Sequence, residues 1–214
     1  MRAIQIYYSY IQEGTTPMLL NKYLKHIPPE LSSRIQRFCR VEDAMLSLMG
    51  KLLLQLAFKP FGVNILNELR YNKYNRPFID NELYDFNLSH SGSMVICAVA
   101  FNCKVGIDVE KKRLLILDNY KSALNNEEWT FIQHEDNSYD KFFELWTKKE
   151  AVAKADGRGM QIPFKEIYFR DDMGFVFSER YFLKRIHIHN DYVIHMATDN
   201  NCPFPIVPVN INFK

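Results

Sequence analysis

The chain has 214 residues, of which 47% are hydrophobic, enough for one large domain or two small ones with a substantial core. Lysine and arginine number 27 against 25 aspartates and glutamates, so no global basic field points to nucleic acid, and small molecules or proteins are the expected partners. No continuous apolar run reaches the roughly 18 residues of a spanning helix, and Met1-Arg2-Ala3-Ile4-Gln5 lacks the apolar core of a signal peptide. Cys39, Cys97, Cys103 and Cys202 show no Cys-x-x-Cys spacing, so buried reduced thiols in a cytoplasmic protein without membrane association are expected.

In chain order, Ala3 to Tyr10 alternates as a strand does, and the turn Gly14-Thr15-Thr16-Pro17 leads into a short helix over about Met18 to His26. A second helix opens at Pro28-Pro29-Glu30. From Leu31 to Phe58 the apolar positions Ile35, Phe38, Val41, Met45, Leu48, Leu52 and Leu56 recur every three or four residues, the stripe of one long helix or a broken pair. The other face carries Arg34, Arg37, Arg40 and Lys51, cations that suit either a phosphate or plain solvation. Tyr71 to Pro77 reads as a surface loop, and Phe86-Asn87-Leu88-Ser89-His90-Ser91-Gly92 as a second loop able to cradle an anion, directly before a strand over Met94 to Ala100.

Val105-Gly106-Ile107-Asp108-Val109-Glu110 reads as a strand end. Asp108 and Glu110, two residues apart, share one face; either a hard cation such as Mg²⁺ sits between them or the strand has an acidic face. Asn125-Asn126-Glu127-Glu128-Trp129 looks like a capped helix start. A longer helix over about Tyr139 to Asp156 places Trp146, Glu150 and Lys154 at successive i, i+4 positions and stops at Gly157-Arg158-Gly159. Ile167 to Phe169, Phe175 to Ser178, Tyr181 to His189 and Tyr192 to Ala197 form an antiparallel meander, with His187, His189 and His195 structural. The segment Pro203 to Pro208 reads as an extended surface tail. Each half runs strand, helix, then several strands, which predicts an α+β fold of two similar subdomains, 1–103 and 104–214, with the site at their junction.

Taken together, Asn87-Leu88-Ser89-His90-Ser91-Gly92, Gly106-Ile107-Asp108-Val109-Glu110 and Trp146-Thr147-Lys148-Lys149-Glu150-Ala151-Val152-Ala153-Lys154 resemble the signature of 4'-phosphopantetheinyl transferases. Chain length and the extra N-terminal half resemble the Sfp type, which implies a monomer of two subdomains about a pseudo-twofold axis, antiparallel sheets packed with helices. The implied reaction moves the phosphopantetheine arm of coenzyme A to a serine of an apo acyl, peptidyl or aryl carrier protein and releases 3',5'-ADP, with Mg²⁺ required.

By that resemblance Asp108, Glu110 and Glu150 correspond to the metal ligands. Glu150, Glu128 or a metal-bound water takes the serine proton, and Lys154 neutralises the leaving phosphate. Ser89 and His90 match a loop that contacts coenzyme A phosphates. Lys73, Arg76 and Pro77 match the loop around the adenine, with Asn75 where glycine is usual, and Lys149 holds phosphate or the helix. Arg34 and Arg37 are candidates for the 3'-phosphate, and Leu46 stands where the Sfp type carries arginine. Lys111, Lys112 and Arg113 could form a docking patch for an acidic carrier or a solvated basic turn. Two other classes fit the same residues: a non-catalytic module binding carrier proteins or coenzyme A, and a Mg²⁺-dependent hydrolase of nucleotide pyrophosphates.

Overall fold

The computed structural model describes residues 4–11, 16–134, 137–201 and 205–213. The first half contains β1 (Ile4–Tyr10), α1 (Pro17–Leu24), α2 (Pro29–Ile35), α3 (Val41–Phe58), α4 (Ile65–Glu68), β2 (Arg70–Tyr71), β3 (Pro77–Phe78), β4 (Tyr84–Ser91) and β5 (Met94–Phe101). The second contains β6 (Val105–Lys111), α5 (Asn126–His134), α6 (Ser138–Asp156), β7 (Ile167–Arg170), β8 (Met173–Val176), β9 (Glu179–Arg185), β10 (Tyr192–Thr198) and β11 (Val209–Asn210).

Strand β5 reads as an unbroken apolar run because both of its faces are covered. Val95, Cys97 and Val99 pack on α3, while Met94, Ile96, Ala98 and Ala100 meet Val105, Ile107 and Val109 of β6 and Ile194 and Met196 of β10. The layers therefore run α3, a sheet of order β11-β1-β5-β4, a sheet of order β6-β10-β9-β8-β7, and α6. Helices and antiparallel sheets give the α+β class expected.

Several expectations change. The basic stripe is not one helix face: α2 ends at Ile35, Arg40 is extended at φ −105°, and α3 begins at Val41. Arg37 and Arg40 lie in the exposed connection, and Phe38, expected in the apolar stripe, is exposed with them. Helix α3 with its short extension, Val41–Phe61, is long and apolar enough by length and composition to cross a membrane, but most of it is buried inside the protein.

The expected loop from Phe86 to Gly92 is the strand β4 and the start of its hairpin to β5, with Ser91 opposite Met94. The tail after Pro205 is more than a surface strap. It crosses back so that β11 pairs in parallel with β1, Tyr7 opposite Val209, and Ser9 Oγ donates to the Ile211 carbonyl at 2.6 Å. The last residues thus complete the N-terminal sheet, although they belong in sequence to the 104–214 segment. His187 and His189 lie beyond the end of β9 and are exposed, while His195 is buried in β10. Cys97 is a buried free thiol and Cys39, expected to be buried, an exposed one; Cys202, Ala3, the turn at Gly14-Thr15 and the tail residues Pro203 and Phe204 lie outside the described residues.

Candidate active site

Where the two layers meet, the inner face of β4 lies against the edge of β6 and contacts it through side chains. Asp85, Asn87, Ser89 and Ser91 alternate along β4 toward β6 and accept from the backbone amides of Val105, Ile107, Val109 and Lys111, at 2.8, 3.0, 3.4 and 3.1 Å. Four small polar side chains thus satisfy the amides of a buried strand edge, which is why a strand here looks like a loop in sequence.

On its other face β6 lies directly under α6. Gly106 makes this possible: a Cβ there would stand 2.1 Å from the Ala151 carbonyl oxygen and 2.3 Å from the Ala155 amide nitrogen. With no side chain at 106, the helix settles onto the strand and brings Glu150 and Lys154 over Asp108 and Glu110, the next residues on that face. Lys154 Nζ lies 2.6 Å from Asp108 Oδ1, and Ser89 Oγ donates to the same oxygen at 2.9 Å. Lys154 also reaches Ser89 Oγ at 3.1 Å. Ser91 Oγ donates to Glu110 Oε2 at 2.7 Å, and Arg113 approaches that oxygen at 3.1 Å.

Asp108 is 4% exposed, and among the described residues its Oδ2 is the one buried side-chain oxygen or nitrogen without a hydrogen-bond partner. Burial raises its pKa, against the pull of Lys154. Glu150 is pushed up to about 7 by burial first, with Asp108 and Glu110 adding repulsion and Lys154 opposing it. An orphaned carboxylate oxygen among like charges suits a hard cation, which would relieve both the desolvation and the repulsion. No three His, Cys, Asp or Glu side chains among the described residues converge closely enough to cage an ion by themselves. An ion bound at Asp108, Glu110 and Glu150 would need further oxygens, from substrate and water, to complete its shell.

A basic surface adjoins the acids. His90 shares a β4 face with Phe86 and Leu88, which pack on α3, and it keeps its imidazole exposed. Its pKa is lowered by the surrounding protein first and by Lys154 next, with Lys51 also lowering it and Asp43 and Glu110 opposing. Lys51 is half-buried, and desolvation lowers its pKa, with Arg34 contributing. Arg34 is exposed, its guanidinium 5.1 Å from the Tyr71 ring centroid. Lys51, Arg34 and Lys154 thus supply positive charge around a neutral His90 that can donate a hydrogen bond to an anion, whereas the exposed Arg37 makes no described contact with them. Leu46 is 5% exposed and packs within the α3 core.

Other expected site residues serve the fold. Lys149 is 0% exposed, donates to the carbonyls of Phe164 and Ile167 at 2.7 and 2.6 Å, and pairs with Glu128 Oε1 at 2.7 Å. It is a bolt between α6 and the segment entering β7, which leaves no donor for a phosphate. Glu128 also closes a reciprocal cap on α5: Asn125 Oδ1 accepts from the Glu128 amide at 2.9 Å and Glu128 Oε2 from the Asn125 amide at 3.0 Å. Both Glu128 oxygens are thus engaged within the protein. Trp146 turns away into a cluster with Tyr120, Phe142 and Phe164. Beneath the site, Thr147 gives its hydroxyl hydrogen to the Phe143 carbonyl at 2.6 Å, so His195 Nδ1 donates to Thr147 at 2.7 Å. Burial pushes His195 down to about 3, which keeps it neutral and structural.

Tyr71 to Pro77 is a small hairpin turn between β2 and β3. Asn75 takes the left-handed conformation, φ 62°, that a glycine would supply. Arg76 points inward: its guanidinium reaches the Lys154 carbonyl at 3.0 Å, Asp85 Oδ2 at 2.7 Å and the Val105 carbonyl at 3.2 Å. It ties the end of α6 to both sheets and also lines a cavity with Asn72, Asp85 and Lys104. Lys73 is exposed beside the Tyr74 ring, and Pro77 opens β3. The basic turn after β6 is largely consumed: Lys112 pairs with Asp140 at 2.9 Å and Arg113 with Glu110, leaving Lys111 exposed. Sequence reasoning missed Ser91, the Asp85-Asn87 part of the seam and the role of Gly106. The period-two row of Asp85, Asn87, Ser89 and Ser91 was the signal for the first two.

An acidic pair on a strand edge, Asp108 buried and Glu110 half-buried, lies under a helix bearing a carboxylate and an ammonium and beside further cations, an arrangement suited to a phosphate-bearing substrate. The model of the 4'-phosphopantetheinyl transferase superfamily matches residues 104–197, and that of the 4'-phosphopantetheinyl transferase N-terminal region matches residues 15–102. The chain belongs to the 4'-phosphopantetheinyl transferase superfamily, in its Sfp type. It is 34% identical over 155 residues to 4'-phosphopantetheinyl transferase Gsp of Aneurinibacillus migulanus, a match covering 70% of this chain and 64% of that protein. It is 29% identical over 174 residues to 4'-phosphopantetheinyl transferase Sfp of Bacillus subtilis strain 168, and 30% identical over 173 residues to a further Bacillus subtilis 4'-phosphopantetheinyl transferase. Each of these two matches covers 78% of this chain and 76% of the relative.

Proposed function

We propose that the protein transfers the 4'-phosphopantetheine arm of coenzyme A to a serine hydroxyl of an apo carrier protein, releasing 3',5'-ADP, with Mg²⁺ held by Asp108, Glu110 and Glu150. The observation that carries this reading is the unpartnered, buried Asp108 Oδ2 beside Lys154 and Ser89, under a helix that also supplies Glu150. The family and the named relatives support it.

The serine oxygen attacks the phosphorus that carries the pantetheine arm, and the bond from that phosphorus to the bridging oxygen of 3',5'-ADP breaks. Two phosphates must enter a site that already holds carboxylates, so the ion supplies the charge neutralisation that lets them approach. Lys154, held at the Asp108 carboxylate, is placed to meet the charge that grows on the leaving phosphate. Glu150 stands over the acidic pair and is the carboxylate placed to receive the serine proton, since Glu128 is committed to Lys149 and to the α5 cap. Lys51, His90 and Arg34 form the anion rim for the 3'-phosphate, Lys51 taking the part that the buried Leu46 does not fill.

Carrier docking is supported on the segment between β6 and α5, where Leu114 and Ile116 are 84% and 71% exposed next to Lys111. We read the molecule as a cytoplasmic monomer of two pseudo-twofold-related subdomains divided near residue 103, a division that the two family matches parallel. The test is to incubate the protein with coenzyme A, Mg²⁺ and an apo carrier protein. Release of 3',5'-ADP in step with loading of the carrier supports transfer. Coenzyme A bound but intact would indicate a binding module, and 3',5'-ADP formed without loading a hydrolase.

A further inference from the structure

Each carboxylate of the acidic pair has one oxygen fixed by the protein and one left over, and the fixing follows a repeat. Ser89 accepts from the amide 20 residues on, Val109, and donates to the carboxylate 19 residues on, Asp108. Ser91 does the same one step along both strands, accepting from Lys111 and donating to Glu110. A hydroxyl has one hydrogen, and the incoming amide leaves the serine no choice but to give it to the carboxylate. On Asp108 the oxygen so held, Oδ1, also takes Lys154, and Oδ2 is left buried and unpartnered. On Glu110, Oε2 takes both Ser91 and Arg113.

We propose that Ser91 is a positioning residue: it pins Glu110 Oε2 to the β4–β6 seam and so presents Oε1 to the divalent ion in the orientation that Ser89 imposes on Asp108. The inference rests on the metal-dependent reading above. Glu110 has more rotatable bonds than Asp108 and is only partly buried, so with only the exposed Arg113 left on Oε2 it samples orientations that do not face the ion. A hydrogen bond made on the side of a ligand away from the metal sets ligand direction and basicity, and losing one typically costs about 10- to 100-fold in affinity or activity.

The test compares the wild type with Ser91→Ala and Ser91→Thr, the second keeping the hydroxyl on a β-strand residue. Mn²⁺ binding in the presence of coenzyme A is followed by the loss of the free-ion paramagnetic resonance signal, alongside Mg²⁺ titrations of carrier loading and thermal melting. Ser91→Ala should weaken Mn²⁺ binding and raise the Mg²⁺ needed for half-maximal rate by about tenfold, with Ser91→Thr restoring most of it. Combined with Glu110→Gln, Ser91→Ala should add little further weakening of Mn²⁺ binding, because its target is gone. Unchanged ion binding in Ser91→Ala, whether or not its melting temperature falls, overturns the proposal and assigns Ser91 to the seam alone. A wild type that neither binds Mn²⁺ nor needs a divalent ion overturns the metal-dependent reading itself.

Discussion

Replacing Gly106 by alanine adds one methyl group at the point where α6 rests on β6. That carbon would stand 2.1 Å from the Ala151 carbonyl oxygen and 2.3 Å from the Ala155 amide nitrogen, the acceptor and donor of one helical turn. Backbone atoms cannot rotate aside as a side-chain tip can, so the helix must retreat by about 1 Å, an overpacking expected to cost about 1–3 kcal/mol. For a chain of this length each kcal/mol lowers the melting temperature by about 2–4 °C. Asp108 and Glu110 stay on the strand while Glu150 and Lys154 move with the helix, which stretches the 2.6 Å contact between Lys154 and Asp108. A displacement of about 1 Å at a reacting centre can lower the rate about 100-fold. Single-turnover carrier loading, run well below the melting midpoint, should therefore show a large fall in rate with little change in the coenzyme A concentration giving half-maximal rate. A variant that loads carrier at the wild-type rate and melts at the wild-type temperature would refute the idea that Gly106 sets the helix height.

Lys149→Met should lower stability by about 1–3 kcal/mol because the Phe164 and Ile167 carbonyls lose their donor and the half-buried Glu128 its partner, and leave the coenzyme A affinity of the folded protein unchanged; chemical denaturation and binding titrations read the two effects separately. Arg76→Ala should lower both kcat and the melting temperature, because Arg76 anchors the Lys154 carbonyl. A rise in KM for coenzyme A with kcat and stability intact would instead make it a ligand contact. Leu46→Arg should destabilise the core without sharpening the preference for coenzyme A over dephospho-coenzyme A, whereas Lys51→Ala should lower that preference by about tenfold or more; kcat/KM for both donors decides. Glu150, raised to about 7, binds its proton more tightly folded than unfolded, so its contribution to stability is present at acid pH and is lost as pH rises through neutrality. Without divalent ions the melting temperature should fall from about pH 5 to about pH 8, and Glu150→Gln should flatten that slope.

The acids and the long helix were legible in the sequence because their signals are local. Asp108 and Glu110 two apart on a strand, Glu150 and Lys154 four apart on a helix, and a glycine after Asp156 each obey one backbone period. What was not legible depends on the partner across a gap. Ser89 and Ser91 look like loop residues until β6 is laid beside them, since their hydroxyls replace backbone partners that neighbouring-strand pairing would supply. Lys149 and Lys154 are both lysines on α6, and only packing tells that one is bolted to Phe164 and Ile167 while the other reaches Asp108. A broken pair of helices was one of the two readings, but the place of the break escaped for a similar reason: Phe38 fits the apolar period, yet the chain leaves the helix there and exposes it. The return of β11 to β1 is a pairing of residues about 200 apart, which no local pattern encodes.

The account stands most directly on the intact mass of an apo carrier protein after incubation with coenzyme A and this protein, with Mg²⁺ or with a chelator, using wild type and Asp108→Asn. It predicts that the carrier gains one phosphopantetheine arm on its serine with wild type and Mg²⁺, and none with the chelator or with Asp108→Asn. A carrier loaded equally well by Asp108→Asn, or one left unmodified by the wild type with Mg²⁺ present, would contradict it.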